Sequence, residues 1–329
     1  MGVNLNGTLL AVDAGNSKTD VAVIAPDGTV LGSARGGGFQ PPVVGVGTAV
    51  DGLAEIVGRA WEAAGGAGLS PAFAHVTACL ANADLPVEET ALQEEVLGRG
   101  WSRSVRVHND TFAILRAGLD EPRGVAVVCG AGINCVGMTP DGRTARFPAI
   151  GKISGDWGGG GGLADEALWC AARAEDGRGL PTALADALPA HFGLGSMYAL
   201  IEALHLGRIA VGRRHELAPV LFAVAAGGDP IALSLVHRLA EEVVVMAAVA
   251  LRRLGLHEEE APVMLGGSVL AARHPQLEDR IRELLAEGAP KATIGFVTAP
   301  PVLGAGLLAL DEAAAGPAAK ARLRERYAG

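Results

Sequence analysis

The segment Leu9 to Ile24 reads LLAVDAGNSKTDVAVI and holds two aliphatic runs on either side of a short polar turn. Aliphatic and β-branched runs separated by glycine, asparagine and serine predict a β-hairpin. Small residues and hydroxyls in the turn let backbone N–H groups approach an anion such as phosphate. Asp13 ends the first strand, and a carboxylate beside phosphates needs a cation such as Mg²⁺ between them. The turn therefore predicts a metal-nucleotide site, with an ordinary hairpin turn as the alternative.

The composition predicts a compact chain with an aliphatic core. Of the 329 residues, 50% are hydrophobic, 4% are aromatic and 19% are charged. This length fits two ordinary domains. The net charge of −9 argues against a surface for duplex nucleic acid, which needs clustered lysine and arginine. A phosphate site in this chain must therefore depend on local geometry.

We expect a cytoplasmic protein with reduced thiols and no membrane partner. The first apolar run is interrupted by Asp13 and follows no basic segment, which argues against a signal peptide. The most apolar helical stretch, 243–251, is too short to span a bilayer. The cysteines form no CxxC pair and have no zinc-like histidine spacing. They are Cys79, Cys129, Cys135 and Cys170.

The first 120 residues alternate between predicted strands and helices in the order βββαβαβα. Apolar periodicity, together with glycine, proline and capping residues, sets the bounds. After the hairpin we expect a strand at 30–34, a helix at 48–64, a strand at 76–80, a helix at 86–98, a strand at 105–107 and a helix at 111–119.

The same order of elements begins again at Gly124, which indicates a duplication. Its predicted elements are a strand at 124–129, a turn at 130–134, strands at 135–138 and 144–147, a helix from about 163, irregular chain to 228, a helix from 230 to about 254 and a strand at 263–265. We therefore predict two domains, 1–120 and 121–329, with the last helix packing back on the first. Their hairpins would face each other across a cleft and hold a metal-nucleotide from both sides.

The order of four motifs resembles the superfamily of sugar kinases, actin and heat-shock chaperones. These motifs are DAGNSKT at 13–19, Asp110 after a strand, CGAGINC at 129–135 and MLGGSV at 264–269. GKISGDWGGGGG at 151–162 and PPVLGAGLLAL at 300–310 are similar to the N-acetylglucosamine kinase branch and its BadF-type ATPase relatives. The resemblance implies an α/β fold of duplicated ribonuclease-H-like (actin-like ATPase) domains. Each would contain a mixed five-stranded sheet flanked by helices, and the two would be hinged about a central cleft.

The resemblance also implies phosphorylation of an amino sugar, N-acetylglucosamine or glucosamine, at the 6-hydroxyl by a homodimer that uses ATP and Mg²⁺. Asp110 matches the general base, whereas the residues alone leave open that it caps the following helix. Asp13 would hold Mg²⁺ largely through water. The implied ATP contacts are Asp13, Gly15, Asn16, Ser17, Lys18, Thr19, Gly130, Ala131, Gly132, Gly266, Gly267 and Ser268.

The implied sugar contacts depart from the family at several positions. Gln40 stands near a family asparagine, and its longer side chain would alter the pocket for the acyl group. Ala131 and Ile133 stand where hydroxyl residues are usual. We expect Trp157 in the core and the glycine run 158–162 as a loop that reshapes on closure. The full set of sugar contacts is Gln40, Asp110, Gly132, Ile133, Asn134, Gly151 and Asp156.

Two other functions remain open from the sequence. An activator ATPase of the BadF type couples hydrolysis to electron transfer into a partner, with an iron–sulfur cluster held between two subunits by cysteines. The four cysteines lack the paired, glycine-flanked context of such a cluster. A sugar sensor without catalysis is the other alternative, and the presence of both Asp13 and Asp110 argues against it.

Overall fold

The computed structural model describes residues 5–328 and contains two five-stranded sheets flanked by helices. The first sheet has the order β3-β2-β1-β4-β5 and the second has the order β10-β9-β6-β7-β8. In each sheet, three consecutive strands lie side by side. Two later strands follow next to the first strand of these three. This repeated order confirms the predicted class of duplicated mixed sheets. The strands are β1 (Leu9–Ala14), β2 (Lys18–Ile24), β3 (Val30–Gly37), β4 (His75–Leu80), β5 (Val105–Asn109), β6 (Gly124–Cys129), β7 (Ile133–Met138), β8 (Thr144–Arg146), β9 (Ala261–Gly266) and β10 (Ala292–Phe296).

The helices of the described chain lie in the connections between these strands and after the last strand. They are α1 (Pro41–Val44), α2 (Val46–Trp61), α3 (Pro86–Gly98), α4 (Thr111–Gly118), α5 (Gly159–Glu175), α6 (Leu184–His191), α7 (Met197–His205), α8 (Leu217–Ala226), α9 (Pro230–Leu254), α10 (Ser268–Ala271), α11 (Pro275–Gly288), α12 (Pro301–Glu312) and α13 (Pro317–Arg326). Within residues 5–328, no single helix is long and apolar enough to cross a bilayer; the stretch 211–226 and α9, bent by 112°, pass that test of length and composition only as a pair.

The prediction of irregular chain up to Gly228 was wrong. That region contains α6, α7 and α8, which bury Leu188, Leu200 and Leu221 completely. These helices are short and are separated by segments that contain glycine. The helical spacing of apolar residues is therefore too brief to be recognised in the sequence. Packing of one apolar face against neighbouring helices stabilises these short segments.

Contacts divide the chain into two compact units. The first contains the described residues up to Ala126, then Val136–Pro148, then the chain from Val297 onward. The second contains Val127–Cys135 and Ala149–Phe296. The division expected after residue 120 differs from this partition because the later segments pack with the first sheet and its helices; α12, for example, contacts α4 and β1.

In the first unit, the sheet is covered by helices on both faces. Leu10 and Val12 of β1 join a buried cluster with Val50 and Val57 of α2. On the other face, α12 contacts β1 and β4. A sheet buried on both faces explains why β1 is apolar at nearly every position.

The pairing of strands brings three chain segments to one edge of the first sheet. β1 pairs antiparallel with β2 and parallel with β4, and β4 pairs parallel with β5. Parallel strands end at the same edge, and ligands of α/β sheets bind at that edge. Asp13, the loop after Leu80 and Asp110 therefore lie at the same end of the sheet.

Glu312, at the end of α12, is hydrogen-bonded to strands β4 and β5. Its Oε2 lies 2.7 Å from His75 Nε2 and accepts a bond of 2.5 Å from Thr77 Oγ1, while Oε1 lies 2.8 Å from His108 Nε2. Burial alone would raise the pKa of this carboxyl. The bonds to the two histidines and to Thr77 outweigh burial and lower the pKa from 4.5 to about 2.

We expect Glu312→Gln to lower the free energy of unfolding at neutral pH. A carboxyl whose pKa is lower in the folded state stabilises the fold above its unfolded pKa of 4.5. That stabilisation is lost as the pH falls through the folded value of about 2, so the difference between the two proteins should narrow over this interval. Urea unfolding of both proteins across the interval measures it. A constant difference would show that the charge of Glu312 does not stabilise the fold.

Candidate functional site

The turn of the first hairpin is held by the loop that follows β3. The N–H of Phe39 donates to the carbonyl of Gly15 at 2.9 Å. Gln40 Nε2 donates to the carbonyl of Asn16 at 3.0 Å. Asn16 and Ser17 stay exposed at the tip. The side-chain N–H of Gln40, a predicted sugar contact, thus helps to fix the shape of the predicted phosphate turn.

The two residues that follow this tip differ in accessibility. Lys18 is 49% exposed and its Nζ lies 3.4 Å from Asp20. Arg35 binds the same carboxylate through two bonds of 2.6 and 3.1 Å. Lys18 is therefore not the main partner of Asp20 and can reach a ligand at the tip. Thr19 is buried in β2, at 2% exposure, which places this predicted ATP contact inside the strand.

Asp13 is a buried carboxyl surrounded by other carboxyls. Burial raises its pKa to about 7, and the charges of Asp110 and Asp20 add to the effect. A cation at this position would favour the charged form and relieve the repulsion. Among residues 5–328, no group of three or more histidine, cysteine or acidic residues is arranged to hold a metal. One buried carboxyl is compatible with Mg²⁺, which is commonly held by one or two carboxylates, water and substrate phosphates.

Asp110 occupies the N-cap position of α4, but its side chain makes no capping hydrogen bond. Asn109 satisfies the helix start instead, since its Oδ1 accepts a bond of 3.0 Å from the N–H of Thr111. Burial raises the pKa of Asp110 to about 6, against the lowering effect of hydrogen bonds from the Thr111 and Asp110 backbone. Capping of α4 therefore does not explain why a carboxylate is present at position 110.

The loop after β4, which no sequence motif marks, carries further polar groups to the same edge of the first sheet. Asp84 accepts a hydrogen bond of 2.8 Å from Asn109 Nδ2. Burial and the charge of Asp110 raise the pKa of Asp84 to about 6. Arg146 donates to the carbonyls of Ala83 and Asp84 at 3.1 and 2.7 Å. The available signal was the position of Asp84 in the short polar loop that follows the predicted strand at 76–80.

In the second unit, the tip of the second hairpin packs on the start of α5. The N–H groups of Gly160 and Gly161 donate to the carbonyls of Gly130 and Ala131 at 2.7 and 3.1 Å. A Cβ on Gly159, whose φ is +72°, would lie 2.5 Å from Gly132 Cα. The prediction of a loop at 158–162 was wrong, because these contacts fold 159–162 into the first turn of a helix.

Four of the predicted sugar contacts line one cavity of the second unit, of about 330 Å³. They are Gly132, Ile133, Gly151 and Asp156. Asp156 closes its own loop, since Oδ2 accepts bonds from the N–H of Gly151 at 2.9 Å and from Ser154 Oγ at 2.5 Å. Within the described residues, Oδ1 of Asp156 has no hydrogen-bond partner in the protein.

Two residues at or near this cavity make contacts within the protein. Trp157, which also lines it, is buried as expected, and the Arg238 guanidinium lies 4.2 Å from the centre of its ring. Asn134 does not line the cavity, and its Oδ1 accepts a bond of 2.7 Å from the N–H of Cys135.

The predicted adenosine segment meets the second hairpin. Gly267 has φ +83°, and a Cβ there would lie 2.4 Å from the carbonyl oxygen of Cys129. Only glycine allows this turn and this approach together. Ser268 is the first residue of the four-residue α10, whose N-cap is Gly267, so Ser268 is not the cap. Segments 130–132 and 266–268, both predicted to contact ATP, are therefore neighbours.

All four cysteines are free thiols, and three of them are buried. Cys79, Cys129 and Cys135 are buried, and Cys170 is partly exposed. Burial raises the pKa of all four thiols, that of Cys129 to about 12. A buried thiol of high pKa forms little of the reactive thiolate.

We expect a chromogenic disulfide reagent to modify one thiol, Cys170, in the folded protein and all four after denaturation. Rapid reaction of more than one would contradict this burial.

Comparison with known proteins identifies similar sequences and folds. An N-acetylmuramic acid/N-acetylglucosamine kinase of Clostridium acetobutylicum is 24% identical over 232 residues, which cover 70% of this chain and 76% of that protein. An N-acetyl-D-glucosamine kinase of Dictyostelium discoideum is 28% identical over 221 residues, 66% of this chain and 68% of that protein. A crystal structure from Chromobacterium violaceum, provisionally named an N-acetylglucosamine kinase, has a TM-score of 0.68 at 24% identity, with 92% of this chain and 99% of that one covered.

The solved structure shows that the fold is shared, in agreement with the order of strands in both sheets. The model of the BadF/BadG/BcrA/BcrD ATPase family matches residues 10–309, which include both hairpins, Asp110 and α12. This match extends over nearly the whole sequence. The chain belongs to the BadF/BadG/BcrA/BcrD ATPase family.

Proposed function

We propose that this protein transfers the γ-phosphoryl group of ATP to the 6-hydroxyl of an amino sugar, N-acetylglucosamine or glucosamine, with Asp110 as the general base. Membership of an ATPase family implies ATP as the nucleotide. The observation that carries the proposal is the Asp110 carboxylate, which is not used for capping and lies at the strand edge that also holds Asp13. The relatives named as N-acetylglucosamine kinases support the sugar class.

In the first unit, the chain supplies a base and a cation site. Phosphoryl transfer depends mainly on positioning and charge neutralisation, with an acceptor for the hydroxyl proton. Asp110, in its charged form, accepts the proton from the sugar hydroxyl. Asp13 would hold Mg²⁺ largely through water, and the ion would neutralise charge on the phosphates. Exposed Asn16, Ser17 and Lys18 contact the phosphates.

In the second unit, the chain supplies groups for the sugar and the nucleotide. Asp156 accepts hydrogen bonds from sugar hydroxyls through Oδ1, while Oδ2 keeps its loop closed. The accessible tip residues Ala131 and Gly132 allow close approach of phosphate. Gly266 and Gly267 allow close packing of the adenosine. Ile133 presents an apolar side chain where the family usually has a hydroxyl, so we expect one fewer hydrogen bond to the sugar.

An assay of ADP release across a panel of sugars tests the proposal. The panel contains glucose, glucosamine, N-acetylglucosamine, N-acetylmannosamine and N-acetylmuramic acid. We expect release to be slow without sugar and to rise strongly with an amino sugar, because the γ-phosphoryl group is transferred to the hydroxyl rather than to water. The 6-deoxy analogue of the best sugar should give no stimulation. Equal release with and without every sugar would contradict the kinase function.

The activator alternative makes a different prediction for the same protein. Such a protein needs an iron–sulfur cluster, whereas three of the four thiols here are buried and have raised pKa values. We expect the protein to be colourless and free of iron after anaerobic purification. Visible absorbance and metal analysis measure these two properties. A stoichiometric iron content would favour the activator function.

The homodimer inferred from the resemblance stays a prediction, which sedimentation can test.

A further inference from the structure

A cavity of about 470 Å³ lies in the first unit, and its volume is within the range of small-molecule pockets. Its walls include the strand β5, the β7–β8 hairpin and the end of α12. None of the residues predicted to contact sugar or ATP lines it. A ligand in this cavity would therefore be a different molecule from the proposed substrates.

Arg106 brings an unpaired positive charge to this cavity. It lies on β5, the last strand of the first sheet, and its side chain is exposed. Over residues 5–328, its guanidinium takes part in no hydrogen bond or ion pair. Arg143 also lines the cavity, and its charge is balanced by Asp141 at 2.8 Å. Since both members of that pair are more than half exposed, the pair is weak, and Arg143 can turn toward a ligand at little cost.

Three carboxylates line the cavity, and each is bound by basic side chains of the protein. The pairs are Glu89 with Arg146 at 2.6 Å, Asp311 with Arg116 at 2.7 Å and with Lys320 at 2.6 Å, and Glu312 with His75 and His108. The charge of Arg106 is therefore left for a ligand. One negative charge would balance it, whereas a second negative charge would enter the cavity without an unpaired cation, which is costly.

The rest of the lining is largely apolar. Its apolar members are Val107, Phe112, Pro122, Met138, Pro140 and Leu308. In small-molecule pockets, a few polar groups orient the ligand while apolar side chains contact most of its surface. A carboxylate bound by Arg106 would thus place an attached aromatic or aliphatic group against these side chains.

The turn between β7 and β8 gives the cavity a fixed wall. The N–H of Thr139 donates to the carbonyl of Arg143 at 3.0 Å, and Thr139 Oγ1 donates to Asp141 Oδ1 at 2.5 Å. The N–H of Gly142 donates to the carbonyl of Thr139 at 3.0 Å. A wall that is already ordered lowers the entropy cost of binding a ligand.

We propose that this cavity is a second small-molecule site, which binds a monocarboxylate with an aromatic or aliphatic body. The carboxylate accepts hydrogen bonds from the guanidinium of Arg106, an arrangement that suits the planar geometry of both groups. The body of the ligand fills the apolar part of the cavity. This site is independent of the proposed function, because it contains none of the groups assigned to phosphoryl transfer.

Titration of the full chain with 3-phenylpropanoate, followed by ligand-observed NMR, tests the inference. We expect saturable binding that weakens as salt is added, because the charge of Arg106 is exposed. The uncharged 3-phenylpropanamide and the small anion acetate should each bind at least about tenfold more weakly. Phenyl phosphate at a pH where it is a dianion should also bind more weakly, which distinguishes a carboxylate from a phosphate ligand.

Two matched substitutions test the role of Arg106. Arg106→Gln removes the charge at an exposed position and should raise Kd for 3-phenylpropanoate at least about tenfold, the effect expected for loss of a hydrogen bond to a charged group. Arg103→Gln makes the same change at an exposed arginine that precedes β5 and does not line the cavity, and it should leave Kd unchanged.

Competition with sugar locates the bound probe. Excess N-acetylglucosamine should not displace 3-phenylpropanoate, because this cavity and the one that contains Asp156 share no lining residue. Displacement would place the probe in the candidate sugar site and overturn the inference. Absence of saturable binding, equal affinity for the amide, or unchanged affinity of Arg106→Gln would overturn it as well. Tighter binding of phenyl phosphate would contradict the preference for a single negative charge.

Discussion

Asp110→Asn is expected to lower kcat for sugar phosphorylation by at least about a hundredfold, within the usual range for loss of a general base. The amide has nearly the shape of the carboxylate but cannot accept the hydroxyl proton. The fold should be retained, because the Asp110 side chain makes no capping hydrogen bond to α4 and Asn109 accepts a bond from the N–H of Thr111. Binding of ATP, followed by calorimetry, should therefore persist.

A matched substitution controls for the loss of one negative charge. Asp279→Asn makes the same change at an exposed position of α11, outside the proposed site, and should retain full turnover. Substantial activity of Asp110→Asn would contradict the assignment of the base. Loss of ATP binding together with turnover would instead indicate that Asp110 acts on the cation and nucleotide, since its charge affects Asp13.

Gly159→Ala is expected to lower the free energy of unfolding by on the order of 3 kcal/mol, from backbone strain and a steric clash. The φ of Gly159 is +72°, and a Cβ would lie 2.5 Å from Gly132 Cα and 2.6 Å from the carbonyl oxygen of Ala131. The hairpin tip would have to move away from α5. Since that tip is the proposed phosphate contact, KM for ATP should rise as well.

Gly162→Ala provides a control in the same glycine run, and it should change the free energy of unfolding in the opposite direction. A Cβ there meets no atom within 4 Å, and the residue lies inside α5. Alanine in a helix should stabilise the fold by about 0.5–1 kcal/mol relative to glycine. Urea unfolding of the two variants measures both effects. Equal and small effects would show that α5 does not support the hairpin tip.

The sequence predicted the elements of the first sheet because local signals and packing agree there. The apolar runs of β1 and β2 are separated by a turn of glycine, asparagine and serine, and Pro86 opens α3. The repeat of the hairpin at Gly124 also predicted the second sheet. Resemblance then supplied the fold class, which the order of strands confirms.

Contacts between distant segments account for what the sequence did not predict. Five glycines favour a loop by local propensity, yet the carbonyls of Gly130 and Ala131 fix the start of a helix. Asp84 has no motif of its own, and its importance depends on the parallel pairing that brings β4 beside β5. The role of Gln40 likewise depends on Asn16, a residue of another loop.

Mass spectrometry of the sugar after incubation with the protein and Mg-ATP shows directly whether the phosphoryl group is transferred. We expect N-acetylglucosamine or glucosamine to gain the mass of one phosphoryl group, with one ADP formed for each sugar phosphate, and the 6-deoxy analogue to gain none. If ADP accumulates while the mass of every amino sugar stays unchanged, the protein hydrolyses ATP without transfer, and it is not an amino-sugar kinase.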